Sequence, residues 1–117
     1  MHDEANKIYN HYLNTKLAIQ AKEYLNNRKI TDEIIETFEI GYAPNNHVLL
    51  KAFEKMNFNK VSMFESGLII EASNGYDRFT DRIMFPLHDA SGRVVGLAVE
   101  SINKAKMNLS ILNSPES

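Results

Sequence analysis

The spacing of apolar residues changes its period at Gly67, and that change limits the folds open to this chain. Before Gly67 the apolar side chains recur every three or four residues, the spacing of one helix face; after it they alternate, the spacing of strands. Helices followed by antiparallel strands make an α+β fold, with about five helices packed beside a small sheet. At 117 residues the chain is long enough to bury its own core and short enough to be one domain. The expected organisation is a single domain over 1–117, helical over 5–66, β-rich over 67–100, with a loop or tail over 101–117.

In the helical part, Ile8, Tyr9, Tyr12 and Leu13 form one apolar set and Leu17, Ala21, Tyr24 and Leu25 a second. Asn14-Thr15 separates them, and Thr15 can cap a fresh helix, so the spacing predicts two helices with a bend. Thr31 is another N-cap candidate, followed by Asp32 and Glu33, whose charges suit the positive end of a helix, and by apolar Ile34, Ile35 and Phe38. Gly41 to Asn46 is turn chemistry and predicts a loop. Val48 to Met56 and Asn59 to Ser66 read as further helices, the second stopped by Gly67.

Beyond Gly67, Leu68 to Glu71 reads as a short strand and Asn74-Gly75 as a turn. Arg82 to His88 alternates so that Ile83, Phe85 and Leu87 share a face, and Pro86 pushes this strand toward an edge or a bulge. Asp89 to Gly92 makes a hairpin loop into a strand over 93–100. A last short strand is expected at Leu109 to Leu112.

Composition removes several kinds of chemistry. The absence of cysteine excludes a disulfide framework, a thiolate zinc site, an iron–sulfur cluster and a cysteine nucleophile. A formal net charge of −2 is not that of a protein held on nucleic acid by global charge, so any such role needs a local patch. The first residues lack the pattern of a signal peptide, and no apolar run approaches a membrane span; a cytoplasmic location without membrane contact is expected.

Candidate catalytic residues are few. His2, His11, His47 and His88 are dispersed, and each reads as a surface or turn residue before it reads as a catalyst. Asp77, Asp81 and Asp89 are the nearest approach to a hard-cation site. Their simpler reading is structural: Asp77 caps a turn, Asp81 lies beside Arg82, Asp89 opens the hairpin loop, and Arg78 and Arg82 pair with the neighbouring carboxylates. No catalytic residue and no metal ligand is assigned. Basic residues are thinly spread, and contact with phosphates would require folding to gather them on one wall.

An ordered series of short motifs is more specific. Tyr24-Leu25-Asn26-Asn27-Arg28, Thr31-Asp32-Glu33-Ile34-Ile35, Ile40-Gly41-Tyr42-Ala43-Pro44, Ser66-Gly67-Leu68-Ile69, Tyr76-Asp77-Arg78-Phe79, Asp81-Arg82-Ile83-Met84-Phe85-Pro86-Leu87, Gly92-Arg93-Val94-Val95-Gly96 and Leu112-Asn113-Ser114-Pro115-Glu116 follow one another along the chain. Together they resemble the bacterial DnaG-type DNA primase, in the N-terminal subdomain of its RNA polymerase core ahead of the TOPRIM fold. The likeness runs from about Lys7 to Ser117.

The resemblance implies one wall of a shallow basic cleft that guides single-stranded template during RNA primer synthesis in DNA replication. It places the TOPRIM carboxylates that hold Mg²⁺ or Mn²⁺ after Ser117 and a cysteine-rich zinc domain before Met1. No cofactor is expected within the chain itself, and the chain is expected to be inactive alone, because phosphoryl transfer relies on metal ions to stabilise spreading charge. The implied template contacts are Arg28, Arg78, Arg82 and Arg93.

The chain also departs from the family where the family is basic. Glu100 stands in place of a cleft arginine, Ser110 in place of a template-contacting lysine, and Thr80 in place of the arginine after Asp-Arg-Phe. Each phosphate contact contributes about 0.7 to the salt slope on a single strand, so these losses imply weak binding of single-stranded DNA. Two functions follow: a primase part that works with a TOPRIM-containing core, or a divergent stand-alone module whose partner is another replication protein. An independent metal enzyme built on Asp77, Asp81 and Asp89 is the least favoured reading.

Overall fold

The computed structural model describes residues 1–72, 75–101 and 109–113. The Asn74 half of the expected Asn74-Gly75 turn, and the tail over 102–108 and 114–117, lie outside the described residues. The elements are α1 (His2–Leu13), a 3₁₀ turn (Lys16–Ala18), α2 (Ile19–Asn27), α3 (Asp32–Thr37), β1 (Gly41–Ala43), α4 (Val48–Lys55), α5 (Lys60–Glu65), β2 (Ile69–Ile70), β3 (Tyr76–Asp77), β4 (Arg82–His88), β5 (Val94–Ser101) and β6 (Leu109–Asn113). The α+β class, five helices and a small antiparallel sheet are as the apolar periods indicate.

Four strands form the main sheet in the order β1-β4-β5-β6, and β2 pairs with β3 separately. The β4–β5 register sets Ile83 opposite Glu100, Phe85 opposite Ala98 and Met84 opposite Val99, so alternate residues of the hairpin supply two different faces. On one face Met84, Leu97 and Val99 pack with Ala5 and Tyr9 of α1, Leu49 and Phe53 of α4 and Met63 of α5. On the other, Ile83 packs with Leu13, Ala18, Ala21, Leu25, Ile40 and Tyr42, with Tyr24 and Phe85 at its edge. Helices therefore cover both faces, and α2 lies over the face that carries Glu100.

Local sequence accounts for three helix ends. The Thr31 side chain accepts from the Ile34 amide, and the Asn59 side chain accepts from Val61, each satisfying an orphan donor of a first turn. Gly67 takes φ +80° just after α5, a conformation that favours glycine. The bend after α1 is present, but Thr15 does not make it by capping: its hydroxyl donates to the Tyr12 carbonyl at 2.7 Å. The first helix also begins at His2, ahead of the expected residue 5.

The loop expectation fails for a physical reason, and three helix-spaced apolar residues stay outside the core. Gly41-Tyr42-Ala43 is a strand rather than a loop, pairing antiparallel with Met84, Ile83 and Arg82. It is short and flanked by turn residues, so local chemistry hides it. Ile34 and Phe38 do not enter the core; they are 39% and 62% exposed, and α3 buries none of its residues. Leu17, grouped with the second apolar set, is also exposed. Pro86 sits past the last β4 residue that β1 covers, and a register shift follows between Leu87 and His88. A central strand thus tolerates a residue without an N–H because its neighbour is short.

Candidate nucleic-acid interface

Tyr24 and Arg28 stand one turn apart on α2, the spacing at which helical side chains meet. The Arg28 guanidinium carbon lies 5.4 Å from the centroid of the Tyr24 ring. Tyr24 donates its hydroxyl proton to Oε1 of Glu100 on β5 at 2.7 Å, and Arg28 is a further hydrogen-bond partner of the same hydroxyl. Burial, then the bond to Glu100 and the charge of that carboxylate, raise the Tyr24 pKa above its ordinary 10.0, against the opposing pull of Arg28. One basic candidate is thus brought together with Glu100, the one acidic departure, through an aromatic residue that sequence reasoning did not single out. The i,i+4 spacing of Tyr24 and Arg28 was the only local signal for it.

The other candidates are held apart. The Arg82 guanidinium donates to the carbonyls of Thr80 and Asp81 at 2.9 and 3.2 Å. Its backbone pairs with Ser101, at the end of the hairpin where Glu100 pairs with Ile83, but on the opposite face. Arg93 lies at the far end of the same hairpin, about 20 Å away at the rise of a strand, and its Nε is 3.5 Å from Asp89. Arg78 follows β3, exposed, with its guanidinium 5.7 Å from the Phe79 ring centroid. Ser110 pairs with Val99 in the ladder between β5 and β6.

The three aspartates serve separate structures. Asp77 is 2% exposed and does not cap its own turn. Its carboxylate accepts from the Leu49 and Leu50 amides at 2.9 and 2.8 Å, capping α4 from another element. Burial raises its pKa above the ordinary 3.8, and the two amide bonds oppose that rise. Asp81 accepts from the Tyr42 hydroxyl at 2.8 Å, and no ion pair with Arg78 or Arg82 is seen among the described residues. Burial and this bond push the Tyr42 pKa up to about 12. Asp89 accepts from the Ser91 and Arg93 amides and so closes the hairpin loop. Among the described residues no three His, Cys, Asp or Glu gather to hold a metal ion.

The histidines are equally scattered. His47 accepts from the Asp77 amide at 3.3 Å, His88 lies 3.5 Å from Glu39, and His11 stands edge-on to Tyr12. His2 is buried, contrary to the surface reading, and burial lowers its pKa from the ordinary 6.5. No helix among the described residues is long and apolar enough to cross a membrane.

Comparison with known proteins agrees with this architecture. The family model described as "DNA primase catalytic core, N-terminal domain" matches residues 8–117. A DNA primase from Enterococcus faecalis is 39% identical over 99% of this chain, and one from Escherichia coli K12 is 35% identical over 97%; each match spans 20% of the relative's length. A DnaG primase catalytic domain solved with single-stranded DNA superposes with a TM-score of 0.83 at 34% identity, over 99% of this chain and 38% of that one. The RNA polymerase domain of Mycobacterium tuberculosis DnaG, solved with double-stranded DNA, gives 0.85 at 25% identity over the same shares. With the family model covering nearly every residue and the fold agreeing along the whole chain, this protein belongs to the DNA primase catalytic core N-terminal domain family.

Proposed function

We propose that this domain guides single-stranded template in a primase polymerase core, contributing no catalytic group of its own and holding the template weakly. The observation that carries the reading is the contact of Arg28 with Tyr24, whose hydroxyl is bound to Glu100: a basic residue of the kind that positions a phosphodiester backbone has a carboxylate as its near neighbour. Arg78, Arg82 and Arg93 are the other proposed template contacts. Thr80, Glu100 and Ser110 are the positions at which basic charge is missing. Mg²⁺ or Mn²⁺ would be held by a TOPRIM domain, attached or supplied by a partner, and primer synthesis would need that domain.

Fluorescence anisotropy with a labelled single strand at low salt tests the reading. Weak binding that vanishes as salt rises is the expected result. Sub-micromolar binding would overturn the weakness, and a complete lack of binding at the lowest salt would overturn the template role.

A second reading, a stand-alone module that binds another replication protein, is favoured by exposed Ile34 and Phe38 on α3, a helix that sets only Ile35 against the core. Adding the domain to a TOPRIM-containing primase core separates the two. Stimulation of primer synthesis supports template guidance; tight association without DNA supports the module.

A further inference from the structure

We propose that Arg28, Tyr24 and Glu100 form a phosphate site that the protein fills with its own carboxylate. The inference rests on the template-guiding reading and names the group that sets its affinity. A tyrosine hydroxyl has one proton to give and lone pairs with which to accept. Here the proton goes to Glu100 at 2.7 Å, within the short range of bonds to an ionised acceptor. The same hydroxyl is left to accept from Arg28. Guanidinium, hydroxyl and carboxylate thus form a chain in which each bond is polarised in the same direction.

The carboxylate is held on both sides. Glu100 is paired in the ladder with Ile83 and Leu109, and Tyr24 rides on a helix anchored by fully buried Ala21 and Leu25. Its position is fixed by folding, so it meets the Tyr24 hydroxyl without the ordering cost that an incoming strand must meet. A phosphodiester and a carboxylate are both singly charged oxygen acceptors, so they compete for the same donors. With Glu100 neutralised, the Tyr24 hydroxyl and the Arg28 guanidinium remain as two donors set side by side, a seat for one backbone phosphate. Tyr24 and Arg28 are the donors of this arrangement, and Glu100 sets its affinity.

The test compares Glu100→Gln with Glu65→Gln, which removes the same charge from an exposed position on α5, the helix packed against the opposite face of the sheet. Both are made in the full chain and again with Arg28→Gln, and each binds a labelled oligothymidylate at low salt. Glu100→Gln should bind about tenfold tighter than Glu65→Gln and steepen the salt slope by about 0.7, the contribution of one phosphate. The gain should vanish with Arg28→Gln. Titration of the Tyr24 phenol by NMR should show its pKa fall toward the ordinary 10.0 in Glu100→Gln, a change that does not depend on DNA.

Equal binding by the two glutamine variants, or a gain that survives Arg28→Gln, overturns the self-filled site and leaves the template reading standing. Absence of binding by every variant overturns both. Glu100→Ala serves as the second variant if the amide is itself accommodated by Tyr24, and the same outcomes decide.

Discussion

Tyr24 and Glu100, 76 positions apart, are joined by a hydrogen bond of 2.7 Å that ties the second helix to the end of a sheet strand. Removing it by Tyr24→Phe should cost about 1 kcal/mol, below the usual range for a bond to a charged group because both residues are part-exposed. Urea unfolding measures the change. A variant as stable as the wild type would mean that water replaces the bond without loss.

The Asp77 carboxylate stands in for the cap that α4 lacks, since His47 at the N-cap position makes no side-chain bond there. Asp77→Ala leaves the buried Leu49 amide and the part-buried Leu50 amide without an acceptor and should destabilise the fold by about 1–3 kcal/mol. The pH dependence has a definite sign. A carboxyl whose pKa is raised by folding favours the folded state when protonated, so its contribution is greatest in acid and declines as pH rises through the folded-state value. The stability of the wild type relative to Asp77→Asn should therefore increase as pH falls from neutrality, as thermal melts across pH would show.

Gly41 lies where β1 passes against α1. A Cβ there would sit 2.6 Å from the Tyr9 Cβ and 2.7 Å from the Tyr9 carbonyl carbon, so the obstruction is backbone as well as side chain. Gly41→Ala should cost about 1–3 kcal/mol or more by forcing helix and strand apart. A melting temperature within a degree of wild type would contradict the close approach.

Tyr9 is fully buried, and its hydroxyl has no hydrogen-bond partner among the described residues. A buried hydroxyl without a partner carries a desolvation cost of about 1–3 kcal/mol. Tyr9→Phe should leave the fold equally stable or raise its stability, which denaturant midpoints would register. A clear loss would reveal a bound water at that hydroxyl.

Arg82 and Arg93 occupy opposite ends of one hairpin, too far apart to share a phosphate. In the Glu100→Gln background, the effects of Arg82→Gln and Arg93→Gln on single-strand affinity should add to within about 0.5 kcal/mol. Strong coupling between them would place both on one contact.

Much of the fold can be read from the chain. The alternation of Arg82 to His88, the Asp89 loop and the caps at Thr31 and Asn59 are local signals, and each sits where its chemistry requires. The β1 strand was not legible because three residues carry no period, and their pairing partner lies some forty positions away. Asp77 looked like a turn residue for the same reason: the amides it caps belong to another element. Ile34 and Phe38 have core spacing, but α3 meets no surface that covers them. For the candidate site, the sequence exposed the odd charge of Glu100 but not its partner, since only the packing of α2 on the sheet brings Tyr24 to it.

The pairing of Gly41–Ala43 with β4 reaches beyond architecture. The strand lies in the helical part of the chain, and its edge is completed only when the hairpin from the β-rich part arrives. A bond from the Val94 amide to Asp3, 91 positions away, stitches the same two parts together at the other end of the chain. Such long loops must close before their contacts stabilise anything, which slows folding. On a ribosome, the helices would emerge and wait, their sheet-facing surfaces uncovered, until the last strands are synthesised.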